Sequence, residues 1–215
     1  MGRKMDISGR VFNGPGMRLK QYINEEKSAE EIIQILKKDC WPFLSAMKKC
    51  SGSKNFWRGV ISDYSDPGFL KKRVRQDRKP KDIGLDLHKT LDKLFLKKFG
   101  WKVRSSGVFA TSDMGMAIGY GELCLFFPIG KFKFVWSQHI DDLWSYTRRL
   151  ASLHKERNID PQKQIVDWYQ DNNLCGALYS GNEVTFNCKE YYVVSPRDYK
   201  LSYHDIDDFI GDLYR

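Results

Sequence analysis

The sequence predicts an α+β fold, and three observations carry that expectation. The 215 residues are enough to bury a full core in one compact unit. Aromatic residues make up 14% of the chain and gather in short apolar, strand-like runs. Between those runs lie longer stretches whose apolar residues recur at helical spacing, so strands and helices are interspersed along the chain.

Residues 1–17 are polar and glycine-rich, with a turn at Asn13-Gly14-Pro15-Gly16, and are expected to form an arm outside the core. Ser28-Ala29-Glu30-Glu31 has the pattern of a capping box and opens a helix whose apolar face includes Ile32, Ile33 and Leu36. That helix is expected to run to about Lys49, with a break near Trp41-Pro42. Phe56 to Ile61 is the first convincing strand, and it carries Arg58. The run Lys71 to Lys81 holds one apolar residue, Val74, and is read as a solvated connection. Leu85, Leu87, Leu91, Leu94, Phe95 and Phe99 define a helix ended by Gly100, with His88 close to its apolar stripe as a core histidine.

Trp101 to Arg104 is read as a short strand, followed by Gly107 to Asp113. That second stretch is an apolar strand that ends in small hydroxyl residues and turns into a helix over Met114–Tyr120, with Asp113 as its N-cap. Leu123 to Ile129 suits a central strand, and Gly130 turns it toward Phe132 to Trp136 as a hairpin. Helices are expected over Ile140–Leu150 and Pro161–Gln170, the latter capped by Asp160. The segment from Asp171 to Asn182 reads as loop. Strands follow at Glu183–Asn187 and Tyr191–Val194, and a helix closes the chain at Tyr203–Tyr214, with Asp205, Asp207, Asp208 and Asp212 on its outer side.

The formal charge of +9 favours anionic partners, namely nucleic acid, nucleotide or an acidic protein surface. Five cysteines, odd in number and without a Cys-x-x-Cys pair, argue against structural zinc and against a secreted disulfide framework. The four histidines form no cluster, so no metal site is expected. No stretch reads as a signal peptide or a membrane span, which places the protein in the cytoplasm with no membrane partner.

Three short pieces carry the functional expectation: Asn55-Phe56-Trp57-Arg58-Gly59-Val60, Phe109-Ala110-Thr111-Ser112-Asp113, and Ser180-Gly181-Asn182-Glu183-Val184. An arginine on a first strand, a small-hydroxyl strand leading into a helix, and a glutamate opening a late strand occur here in that order. This order resembles the arginine, serine-threonine-serine and glutamate class of the ADP-ribosyltransferase family. The resemblance spans roughly Phe56 to Val194. It implies a split β-sandwich core over residues 53–215 and an N-terminal arm and helical lobe over 1–52.

The resemblance further implies a mono-ADP-ribosyltransferase that cleaves NAD, its substrate, at the nicotinamide–ribose bond and passes ADP-ribose to an acceptor. Glu183 is then the catalytic carboxylate, stabilising positive charge that develops on the ribose. Arg58 suits the pyrophosphate, with Gly59 permitting close backbone approach. Ala110, Thr111 and Ser112 would brace the glutamate and line the nicotinamide pocket, and Tyr120 and Phe127 are candidates for its walls. In the turn before the glutamate, Tyr179 is the aromatic expected to touch an acceptor.

Two departures bear on activity. Ala110 stands where the family has its first serine, and Gly181 stands where arginine-modifying members carry Glu or Gln, which disfavours an arginine acceptor. An acidic protein or a nucleic acid is the expected acceptor. The same residues support a second reading, a fold retained with a degraded site for binding or structure inside a larger assembly such as a phage particle. The compact, aromatic-rich make-up also resembles that of small bacteriophage-encoded proteins. A third reading is a nucleic-acid-binding domain that uses Lys71 to Lys81.

Overall fold

The computed structural model describes residues 27–50, 52, 54–61, 68–80, 84–143, 145–147, 161–196 and 203–214. The arm at residues 1–17, the cap at Asp160 and the end of the expected helix beyond residue 147 lie outside the described residues. Ser28 and Glu31 form the capping box in full and start α1 (Ala29–Asp39), and the chain breaks at Cys40 before α2 (Trp41–Met47), which has proline in its first turn.

Two four-stranded antiparallel sheets follow, each built from strands distant in sequence. One sheet takes β1 (Trp57–Val60), β4 (Glu122–Pro128), β8 (Glu190–Val194) and β2 (Phe69–Arg73) in the spatial order β1-β4-β8-β2. The other takes β3 (Val108–Ala110), β7 (Val184–Asn187), β5 (Lys133–Ser137) and β6 (Tyr169–Gln170) in the order β3-β7-β5-β6. Mutual backbone bonds between Trp57 and Thr111 join the ends of β1 and β3, at 2.6 and 2.9 Å.

The fold class is therefore mixed α and β, as the alternating pattern implies. Phe186 of β7 is fully buried, with its ring 5.0 Å from Phe126, 5.1 Å from Phe56 and 6.1 Å from Phe43. One core thus joins both sheets with α1 and α2. A second core sits under α3 (Leu85–Phe99), where Leu91 and Phe95 pack with Val135, Ile165 and Tyr169. Glycine at position 100 ends α3 because the chain turns left-handed there, with φ 78°. The closing helix, α8 (Tyr203–Tyr214), buries Phe209, Ile210 and Leu213 and exposes Asp207 and Asp208.

Several local expectations are corrected. Trp101 to Arg104 is not a strand: Val103–Ser106 makes one helical turn, α4, because the Asp92 carboxylate accepts the N–H groups of Arg104 at 2.7 Å and Ser105 at 3.1 Å. β4 and β5 are not a hairpin, since β4 is saturated by β1 and β8 while β5 pairs with β7 and β6. Helix α6 (Pro161–Asp167) stops before Gln170, because Tyr169 and Gln170 extend against β5. The expected loop before Asn182 contains α7 (Leu174–Ser180), whose N-terminus is capped by Asn173 in the left-handed conformation, accepting from the N–H of Gly176 at 2.9 Å.

Lys71, Lys72 and Arg73 belong to edge strand β2 rather than to a solvated connection. Cys50 and Cys175 are joined in a disulfide with Cα atoms 5.2 Å apart, linking the chain after α2 to α7, while Cys40, Cys124 and Cys188 are free and buried. A sequence separation of 125 residues hid that pair from any spacing argument. Among the described residues no helix is long and apolar enough to cross a membrane.

Candidate functional site

A cleft of about 600 Å³ opens where the ends of β1 and β3 meet, a size that accommodates a small-molecule ligand. Arg58, Gly59, Ala110, Thr111, Tyr120 and Glu183 all line it, although they come from β1, β3, the turn after a short helix and the start of β7. The backbone bridge from Trp57 to Thr111 brings the first two pieces together. The pairing of Ala110 with Val184 then sets Glu183 beside them.

Phe109 organises the cations. Its carbonyl accepts from the Arg58 guanidinium, and its ring packs against Arg78, 4.2 Å from the ring centroid, and Arg104, at 4.5 Å. Arg58 also lies 5.7 Å from the ring centroid of Tyr191. Burial and the neighbouring Arg58 and Arg104 bring the Arg78 guanidinium down to about 10, so Arg78 remains charged at neutral pH. With Arg58 on the Phe109 carbonyl and Arg78 and Arg104 on its ring, the three guanidinium groups repel one another. A bound anion relieves that repulsion.

Glu183 is largely withdrawn from solvent, its side chain 13% exposed. Its N–H donates to the Asp141 carbonyl at 2.8 Å, and its carboxylate accepts from Arg104 Nη1 at 3.2 Å. Burial raises its proton affinity; Arg104 opposes this, and the nearby Asp142 carboxylate adds to it. Removing Arg104 therefore leaves burial and Asp142 to favour the protonated form. For any reaction that needs the Glu183 carboxylate, Arg104→Gln is expected to move the acidic limb of the pH–rate profile to higher pH, with the rate at low pH falling more than the rate at high pH. A pH series on both proteins checks this, and superimposable profiles sink it.

The small-hydroxyl strand works differently from expectation. Thr111 Oγ1 donates to the Gly181 carbonyl at 2.6 Å and accepts from the Asp113 N–H at 3.0 Å, while the Ser112 hydroxyl donates to the Leu178 carbonyl. Both hydroxyls fasten the end of α7 and the turn before Glu183, and neither contacts its carboxylate. Thr111 and Ala110 line the cleft; Ser112 is outside its lining. Asp113 caps α5 (Met114–Ile118) by accepting from the Met116 N–H at 2.9 Å. Gly181 has φ 75°, a conformation that strains a residue with a Cβ, so a Glu or Gln there requires a different turn.

Gly59 permits a close approach, but to protein. A Cβ at this position would sit 2.2 Å from the Ala117 carbonyl and 2.7 Å from the Tyr120 backbone. Gly59→Val is expected to displace α5 and lower stability by about 3 kcal/mol, read as a drop in the urea midpoint. An unchanged midpoint overturns that account.

Two aromatic candidates, like Ser112 and Gly181, lie outside the cleft lining. Phe127 is buried in the main core, 6.3 Å from Phe43, and cannot wall a ligand site. Tyr179 is on α7, with Lys54 Nζ 5.8 Å from its ring centroid, and is also outside the cleft lining. Tyr120 does form part of the wall and is 57% exposed.

The cleft also contains residues that the family resemblance did not assign to it: Lys72, Arg78, Lys79, His88, Arg104 and Asp142. Arg78 and Lys79 were obscured by a charge run, and Arg104 by an expected strand. His88 is 5% exposed, and its Nε2 lies 3.0 Å from the Ser105 hydroxyl, which itself donates to Asp92. Burial holds His88 below the ordinary imidazole range despite Asp92.

Among the described residues no cluster of His, Cys, Asp and Glu is placed to hold a metal ion. In comparisons with known proteins, no family model, no curated protein and no solved structure matches this chain.

Proposed function

We propose that the chain is an NAD-cleaving mono-ADP-ribosyltransferase with its reaction centre at Glu183. The observation that carries this reading is the convergence of Arg58, Thr111 and Glu183 on one cleft, from three segments distant in sequence. The cationic group around Phe109 fits a pyrophosphate, since arginine forks make paired charge-assisted hydrogen bonds to such oxygens. In this reading Arg58 and Arg78 hold the pyrophosphate. Glu183 stabilises the positive charge that develops on the ribose as nicotinamide leaves. Two antiparallel four-stranded sheets with the cleft at their junction suit the split β-sandwich that the sequence resemblance implies.

Ala110 supports a second reading, a retained fold with a degraded site. A serine at this cleft position would add a hydroxyl next to Thr111. The deciding measurement is release of free nicotinamide from NAD by the purified chain, paired with calorimetry of NAD binding. Release supports the transferase. Neither release nor binding sinks it and leaves a role in binding or assembly.

A further inference from the structure

The basic run after Gly68 is a built feature of the cleft. Its first part is edge strand β2, where Lys72 is in register with Tyr191, and both residues line the cleft. Val74 is then buried, and its N–H donates to the Lys189 carbonyl at 3.0 Å. Four residues later the Arg78 N–H donates to the Ser105 carbonyl at 3.0 Å, which brings Arg78 and Lys79 into the cleft wall. Two anchors thus hold an otherwise exposed cationic segment against the site.

Within this segment Lys71, Lys72, Arg73, Arg75, Arg78 and Lys79 face one acidic residue of their own, Asp77. Among the described residues Lys71 alone of the six has a carboxylate in ion-pair distance, Glu190 at 2.9 Å. The cleft itself is lined by Arg58, Lys72, Arg78, Lys79 and Arg104 against Asp142 and Glu183. That excess is greater than one pyrophosphate neutralises. The surplus lies on the cleft wall at Lys72 and at exposed Lys79, where the segment leads from the surface into the cleft.

We propose that the acceptor is a single-stranded nucleic acid, its phosphates guided into the cleft by β2 and the segment through Lys79. This rests on the reading of Glu183 as the centre of NAD cleavage. A cationic groove beside an exposed aromatic ring is the arrangement that binds single strands, with phosphates on the cations and bases on the ring. Tyr120, at the cleft wall beside exposed Ile61, supplies that ring. Depth selects a single strand over a duplex: the acceptor atom must reach a carboxylate that is 13% exposed, and a base stacked in a duplex cannot do so without being extruded.

In the transfer, the bond between the ribose anomeric carbon and nicotinamide breaks, and its electron pair leaves on nicotinamide. A nucleophilic oxygen or nitrogen of the strand bonds to that carbon and gives its proton to the Glu183 carboxylate, from which solvent removes it.

The test uses the whole chain and fluorescently labelled single-stranded RNA and DNA oligonucleotides, followed by anisotropy between about 50 and 200 mM salt. Binding is expected to weaken with salt and to exceed binding of the matching duplex. Lys72→Gln with Lys79→Gln is expected to weaken single-strand binding about tenfold and to make the salt slope shallower by about 1.4, two phosphate contacts' worth. With labelled NAD, the label is expected on the oligonucleotide.

Equal affinity for single strand and duplex, no loss in the double variant, or label passing to a polyglutamate peptide but not to the oligonucleotide overturns the proposal. Nicotinamide release without single-strand binding overturns it too, and leaves the NAD reading standing. Single-strand binding without nicotinamide release overturns the acceptor role together with the NAD reading.

Discussion

Glu183→Gln is expected to lower nicotinamide release from NAD by a factor of about 100 to 1,000, the range found when one preorganised electrostatic partner of a transition state is removed. The amide has nearly the shape of the carboxylate but no charge to set against the positive charge developing on the ribose. NAD binding, read by calorimetry, is expected to persist, because the cations around Phe109 are untouched. The two readouts therefore separate. Lost release with retained binding places Glu183 in the chemical step, whereas release at the parent rate removes it from the mechanism.

The parts of this site that were legible in the sequence are those fixed by local chemistry. Arg58 in an apolar strand, a strand ending at Thr111 with Asp113 capping the next helix, and Glu183 opening a strand are each readable within a few residues. Their meeting depends on the backbone bridge between Trp57 and Thr111 and the pairing of β3 with β7, contacts between segments that local patterns do not record. The same distance effect misassigned the hairpin. Gly130 does turn the chain after β4, with φ 66°, but strand partners on opposite sheets decide where the next strand goes.

Charge was the harder signal. Arg78 reads from sequence as one of many solvated cations, and only a long-range backbone bond to Ser105 brings it to the cleft. Arg104 was hidden because Asp92, buried on α3, imposes a helical turn on a stretch whose own pattern is strand-like. Phe127 was misplaced for the complementary reason. An aromatic residue in an apolar run does not reveal which face of its element points toward a cleft.

The disulfide between Cys50 and Cys175 carries the largest expected effect on stability. Closing a loop with a sequence separation of 125 residues restricts the unfolded chain by about 4 to 5 kcal/mol in the chain-entropy account. At this size each kcal/mol moves the melting temperature by about 2 to 4 °C. Cys50→Ser with Cys175→Ser is therefore expected to lower Tm by about 10 °C, and the parent chain in excess reductant should melt with the double variant. Equal melting temperatures with and without reductant would remove the disulfide from the stability account.

Activity is expected to respond less. The disulfide grips the start of α7, whereas its end is held by the Ser112 bond to Leu178 and the Thr111 bond to Gly181. Glu183 is fixed separately, through its own N–H to Asp141 and the pairing of Val184 with Ala110 and Trp136. Well below its melting temperature the double variant should thus release nicotinamide at close to the parent rate. Loss of activity in a folded double variant would instead mean that the position of α7, and not the strand pairing, sets the carboxylate.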